Sequence, residues 1–225
     1  MLARWSYQRI WSLSMSPNQA STPTAPAVPG RLKDPSLLEE RRRQLVEVAT
    51  EVFFEKGFDR ASVNEIAERW GQSVGGLYRY VRSKDDILVL VCSEIFRRIG
   101  PDALDAPDVG DPAERFRSAF ITYCENIQRH SRQVLLMYRE YGRLSAEARA
   151  HFMDQESQVL LAFRSIVEDG VARGVFTCED PELFAVDCVT RAHSLALKGW
   201  ALAPRSPQAC IATMTSWTVR CLTGG

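Results

Sequence analysis

The chain carries no net charge: 28 lysines and arginines offset 28 aspartates and glutamates over 225 residues. Bulk electrostatics therefore neither points to a polyanionic partner nor excludes one, and local clustering decides. None of the six cysteines (92, 124, 178, 188, 210, 221) forms a C-x-x-C pair, and His130, His151 and His193 lie far apart. That spacing argues against a zinc centre, and no cofactor is expected. Most of the cysteines sit inside apolar helical patterns, where a thiol acts as a small hydrophobe. No apolar run reaches the ~18 residues that span a bilayer, so a soluble, cytoplasmic chain is expected. There is no Gly-rich phosphate loop, and residues 111–222 hold no Ser/His/Asp or Cys/His set at suggestive local spacing. Triads scatter in sequence, so an all-helical enzyme stays open as a rival, but none is expected.

What is present is helical punctuation. From Ser62 to Lys84 the chain reads as two short helices around a tight turn, with a third following at once. Ser62 and Glu65 make a capping box. Val63, Ile66 and Ala67 share one apolar face. Gly71 stands where the first of these helices must stop, and Ser73 caps the second. Two helices joined by three or four residues with a glycine form the helix-turn-helix pattern. With Leu77 and Val81 turned inward, Val74, Gly75, Tyr78 and Arg79 face outward. Gly75 and Gly76 each weaken a helix by about 1 kcal/mol relative to alanine, a cost that close approach to a DNA groove would explain. Arg79 offers a fork to guanine and Val74 a contact to a thymine methyl. Tyr78, Tyr80 and Lys84 have the reach and donors for phosphates. Between Lys56 and Lys84 six basic residues (Lys56, Arg60, Arg69, Arg79, Arg82, Lys84) face three acidic ones (Asp59, Glu65, Glu68). An ordinary helical hairpin with a solvated face fits this pattern as well as a DNA reader does.

The run Ser62-Val63-Asn64-Glu65-Ile66-Ala67, then Gly71, Ser73, Gly75-Gly76-Leu77-Tyr78, Tyr80 and Ser83-Lys84-Asp85-Asp86-Ile87-Leu88, resembles the DNA-binding domain of TetR-type transcriptional regulators. Phe53-Phe54-Glu55-Lys56-Gly57-Phe58 resembles the end of that family's first helix. The likeness covers about residues 38 to 92. It implies a recognition helix over Ser73 to Tyr80, including Gly76, with Ser62, Tyr78, Tyr80 and Lys84 on phosphates. Trp70, Gln72, Val74, Tyr80 and Val81 depart from the family's usual residues. Trp70 bears on how the first two helices pack, while Gln72 and Val74 leave the operator sequence open.

The rest divides by composition. Residues 1–35 hold Pro17, Pro23, Pro26, Pro29 and Pro35 among Ser, Thr and Ala, a disordered tail. Arg4, Arg9, Arg31 and Lys33 make that tail basic; a transit peptide and a start at Met15 are its other readings. Residues 36–92 form the helix-turn-helix domain, opened by Ser36 and Glu39. Arg41, Arg42 and Arg43 lie near its start, on a solvated face or beside a DNA backbone. Residues 93–225 form a helical body, separated from the fourth helix by a Pro- and Asp-rich loop. Asp111-Pro112, Ser145 and Asp180-Pro181 open its helices. The expected fold is all-α, a three-helix head on a helical body, about nine helices in total.

The resemblance implies two tasks for this body: a small-molecule pocket among its first four helices, and dimerisation by its last two. Phe116, Phe120, Tyr123, Met137, Tyr141, Phe152 and Phe163 either line an apolar cavity or pack as core. A ligand there would be hydrophobic (an acyl thioester, an aromatic compound or a drug), with Arg139, Arg143 or His193 meeting a polar handle. Ala192, Ala196 and Gly199 permit close helix approach, and Trp200 and Trp217 anchor either an interface or the core. The expected function is a dimeric, ligand-responsive regulator, most often a repressor in such families, that binds a palindromic DNA operator. The alternative is a helical protein-interaction module without DNA binding.

Overall fold

The structure, a computed structural model, describes residues 35–100, 104 and 110–224. The tail reading of residues 1–34 and most of the loop reading of 101–109 lie outside these residues. Ten α-helices and no strand occur among them. In chain order they are α1 (Pro35–Arg60), α2 (Val63–Arg69), α3 (Val74–Leu77), α4 (Lys84–Ile99), α5 (Pro112–Arg129), α6 (Ser131–Glu140), α7 (Ala146–Ala172), α8 (Pro181–Leu197), α9 (Gly199–Leu202) and α10 (Pro207–Thr223). A 3-10 turn, Tyr141–Arg143, follows α6. The helix beyond the nine expected is α9, a single turn after Lys198. Ser36, expected as a cap, lies inside α1, which starts one residue earlier at Pro35. Gly57 kinks α1 at φ 78°, ψ 159°.

Local chemistry sets most boundaries. Ser62, Ser73, Ser83, Ser145 and Ser206 each accept a hydrogen bond from the backbone N–H three residues on, satisfying a donor the helix start leaves bare. Pro112, Pro181 and Pro207 occupy first-turn positions whose N–H would be unused. Gly71, at φ 72°, ends α2. Its N–H donates to the Glu68 carbonyl and that of Gln72 to the Ala67 carbonyl, a Schellman closure that needs a left-handed residue.

The head is α1 to α3, with α4 packed along α1. Leu45, Ala49, Val52 and Phe53 of α1 are fully buried, as are Ile66, Leu77 and Ile87. In the body α5 runs centrally and packs on α4, α6, α7, α8 and α10. Its Phe116 and Phe120 stack at 6.0 Å and meet Phe163 of α7 at 6.0 and 6.3 Å. Tyr123 meets Phe163 edge-on at 5.6 Å. Four of the seven expected pocket residues are thus close-packed core. Arg115 of α5 pairs with Asp169 of α7 at 2.9 Å.

Candidate nucleic-acid interface and effector cleft

The helix-turn-helix stands as expected in outline. The Ser62 hydroxyl accepts from Glu65 N–H at 3.2 Å. The other half of the expected box is spent differently: the Glu65 carboxylate takes Lys56 at 2.7 Å and Arg69 at 2.9 Å, and these cations hold its pKa below the usual range. Arg69 also reaches Glu55 at 2.8 Å. Two of the six cations in the basic stretch are therefore neutralised between α1 and α2.

The α3 helix is shorter than the expected Ser73–Tyr80. It is regular from Val74 to Leu77, and Tyr78 to Tyr80 continue it as a tighter turn in which Arg79 N–H donates to the Gly76 carbonyl and Tyr80 N–H to the Leu77 carbonyl. Two adjacent glycines lower helix propensity enough to account for the tightening. The two glycines differ in role. A Cβ on Gly76 would meet the Ser73 hydroxyl oxygen at 3.3 Å, within the cap itself, whereas one on Gly75 would meet nothing within 4 Å. The turn therefore restricts position 76, while nothing among the described residues requires glycine at 75.

Ser62, Ser73, Gly75, Tyr78 and Arg79 are exposed, with Val74 and Gly76 half-buried beside them. Tyr78 is 47% exposed. The Arg79 guanidinium has no ion-pair or hydrogen-bond partner among the described residues. Tyr80 is half-buried, its ring edge-on to buried Trp70 at 5.1 Å, so the unusual Trp70 packs between the helices and supports the Tyr80 ring. Lys84 is engaged inward. Its ammonium donates to the carbonyls of Phe58 at 2.8 Å, Ala61 at 3.0 Å and Asp59 at 3.3 Å. Of the arginines near the start of α1, Arg41 donates to Gln44 and Arg43 pairs with Glu40.

A second feature lies where the body meets α4. Phe96 of α4, Met137 and Tyr138 of α6, Tyr141, and Phe152 and Glu156 of α7 line a cleft of about 280 Å³. Met137, Tyr141 and Phe152 were expected in a pocket; Phe96, Tyr138 and Glu156 were not. Their grouping is tertiary, and no local pattern marks it. Phe96 and Phe152 stack at 5.2 Å across it. Burial raises the pKa of the Glu156 carboxyl. Behind the cleft, buried His193 joins the hydroxyls of Tyr138 and Tyr123. Arg139 and Arg143, expected as polar handles, point to the head. Arg139 donates to the Phe53 carbonyl, Arg143 pairs with Asp59, and both hold the buried Glu140 carboxylate at 2.8 and 3.0 Å.

Comparison with known proteins joins these two features. The family described as "Bacterial regulatory proteins, tetR family" matches residues 45–91, and "Tetracyclin repressor-like, C-terminal domain" matches residues 109–196. The chain belongs to the TetR family of transcriptional regulators. It is a helix-turn-helix DNA-binding regulator, and its head and body are the two parts those descriptions name. It is 29% identical over 185 residues to the HTH-type transcriptional regulator HbdR of Aromatoleum sp. (strain CIB), covering 81% of this chain and 80% of that one. A tetR-family regulatory protein from Rhodococcus RHA1 superposes with a TM-score of 0.70 at 22% identity, covering 81% of this chain and 97% of that one. AibR, solved with isovaleryl coenzyme A and operator DNA, superposes with a TM-score of 0.66 at 19% identity over 81% and 98% of the two chains.

The surface expected to dimerise divides in two. Ala192 and Ala196 are buried within this chain, at 0% and 5% exposure, because that side of α8 packs on α5 and α7. Trp200 is 78% exposed and Trp217 49%. Leu183, Val186 and Leu197 of α8 are exposed with them. No described helix is long and apolar enough to cross a membrane.

Proposed function

We propose that the protein is a cytoplasmic, ligand-responsive repressor that binds a palindromic operator as a homodimer and leaves it when a hydrophobic small molecule enters the cleft. The observation that carries the DNA part is the exposed face of α3, where Gly75 is open to close approach and the Arg79 guanidinium has no partner among the described residues. On this reading Val74, Gly75, Gly76 and Arg79 approach base edges, and Ser62, Ser73, Tyr78 and Tyr80 approach phosphates. Lys84 acts mainly by holding the end of α1. Residues 36–92 are the reading domain and 93–225 the responding and pairing domain.

A helix-turn-helix head reads two half-sites when a dimer presents two copies. Trp200 and Trp217, with Leu183, Val186 and Leu197, are exposed large apolar side chains of the kind that interfaces cover. A second copy is the proposed occupant. Response to ligand requires tighter binding to the state that fits DNA poorly. The α4 helix supports such coupling. Its first residue, Lys84, holds the head, and its Phe96, about 18 Å further along at 1.5 Å per residue, lines the cleft.

The test is selection of bound fragments from random double-stranded DNA, followed by footprinting. An inverted repeat protected as two half-sites about one helical turn apart is the expected result. Retention of no sequence over background would favour the interaction-module reading.

A further inference from the structure

Tyr123, His193 and Tyr138 form a hydrogen-bonded chain from the core to the cleft. The Tyr123 hydroxyl lies 2.9 Å from His193 Nε2, and the Tyr138 hydroxyl 2.7 Å from His193 Nδ1. Burial lowers the His193 pKa to about 4, so the imidazole is neutral near pH 7. A neutral imidazole has one N–H donor and one bare acceptor nitrogen. One tyrosine must therefore donate to the ring, and the other must accept from it.

Burial decides which. Tyr123 is 2% exposed, and its hydroxyl has no other hydrogen-bond partner among the described residues. If it accepted from the ring, its own hydrogen would be buried without an acceptor, an arrangement folded proteins avoid. Tyr138 is 46% exposed and borders the cleft. Tyr123 therefore donates to Nε2, the Nδ1–H donates to Tyr138, and the Tyr138 hydrogen is left to point toward the cleft. Glu156 lies on the same cleft, and burial favours its neutral carboxyl. The other walls are Phe96, Met137, Tyr141 and Phe152, with no lysine or arginine among the described lining residues.

We infer that the cleft takes an apolar effector through a neutral carbonyl oxygen, which accepts a hydrogen bond from the Tyr138 hydroxyl: a ketone, ester or acyl thioester. This rests on the effector reading of the cleft proposed above. A free carboxylate would lose its water beside Glu156 with no cation to replace it. An amine would lose the water around its ammonium for a carboxylate that burial makes harder to ionise.

Four probes with one apolar body separate the cases when titrated calorimetrically into the full chain: 4-phenylbutan-2-one, 4-phenylbutanoate, 4-phenylbutylamine and butylbenzene. The ketone is expected to bind about tenfold tighter than each of the others. Tyr138→Phe, at a half-exposed position, is expected to bring the ketone down to butylbenzene. Tightest binding by the amine or the carboxylate overturns the inference on the wild-type chain alone. So does a ketone advantage that survives Tyr138→Phe in a variant with native circular dichroism. Binding of butylbenzene with no ketone preference overturns this inference and leaves the effector cleft standing; binding of none of the four overturns both.

Discussion

The Lys84 ammonium stands 4.5 Å from the centre of the Phe58 ring and donates at 2.8 Å to the carbonyl of that same residue. Asp59 and Ala61 carbonyls take its remaining donors. One side chain from the start of α4 thereby closes the end of α1, where carbonyls are left bare and a cation is favoured. Lys84→Ala is expected to cost roughly 2 kcal/mol of stability, from charge-assisted hydrogen bonds and the cation–π contact. Thermal unfolding measures this. The slope of log affinity against log salt should stay unchanged, whereas loss of a direct phosphate contact would reduce it by about one.

Gly75→Ala should separate folding from DNA binding. A Cβ there meets nothing within 4 Å, and alanine favours a helix by about 1 kcal/mol. The variant is expected to melt at or above the wild-type temperature yet bind the selected operator at least ~10-fold more weakly, through steric exclusion from the groove. Unchanged affinity in a mobility-shift titration would remove close backbone approach as the reason for this glycine.

Trp200→Ser and Trp217→Ser address assembly. Each truncation of an interface tryptophan is expected to cost about 2 kcal/mol of association, or ~30-fold in dimer dissociation. Sedimentation velocity across a dilution series reads this directly. Helicity should be retained, since Trp200 is largely and Trp217 about half exposed in a single chain.

Acid should destabilise the body through His193. Its folded pKa, about 4, lies below the ordinary 6.5. Stability from this group is therefore complete above pH ~6.5 and lost as pH falls toward 4, because the unfolded chain takes up the proton first. The loss approaches about 3 kcal/mol at ~1.4 kcal/mol per tenfold. Burial lowers the pKa of His130 too and acts in the same direction. Glu156 opposes both, since burial raises its pKa and its contribution grows on acidification. Urea unfolding at pH 7 and pH 5 in a Glu156→Gln background removes the opposing contribution, and the carboxylates of Glu65 and Glu94, whose pKa values are lowered by their cation partners, add to the histidines' slope mainly below that range. Adding His193→Gln should flatten most of the remaining slope.

The head was readable because its signals are local. Ser62, Gly71 and Ser73 cap or end helices through bonds spanning three to five residues, and such bonds leave a pattern in the sequence. The body was readable as helices but not as a site. Phe96 and Glu156, sixty positions apart, line one cleft, and that cleft follows from how α4, α6 and α7 lean together. The same limit explains Ala192 and Ala196. The α8 helix carries two apolar stripes, one with Ala185, Cys188, Ala192 and Ala196 buried, the other with Leu183, Val186 and Leu197 exposed. Periodicity reveals both stripes but cannot say which one the chain's own fold covers. The inward bonds of Lys84 are illegible for a related reason: reach and charge show what an ammonium is able to touch, not that carbonyls more than twenty positions earlier claim it.

Residues 137 to 143 face two ways. Met137, Tyr138 and Tyr141 border the cleft, while Arg139, Glu140 and Arg143 between them grip α1. A guest that tilts this short segment by a few degrees must pull on the grip at the same time, because the two sets of side chains share one backbone. On the proposed reading, sensing and signalling are therefore inscribed in the same seven residues, and a substitution that widens guest tolerance here carries a built-in risk of resetting the response.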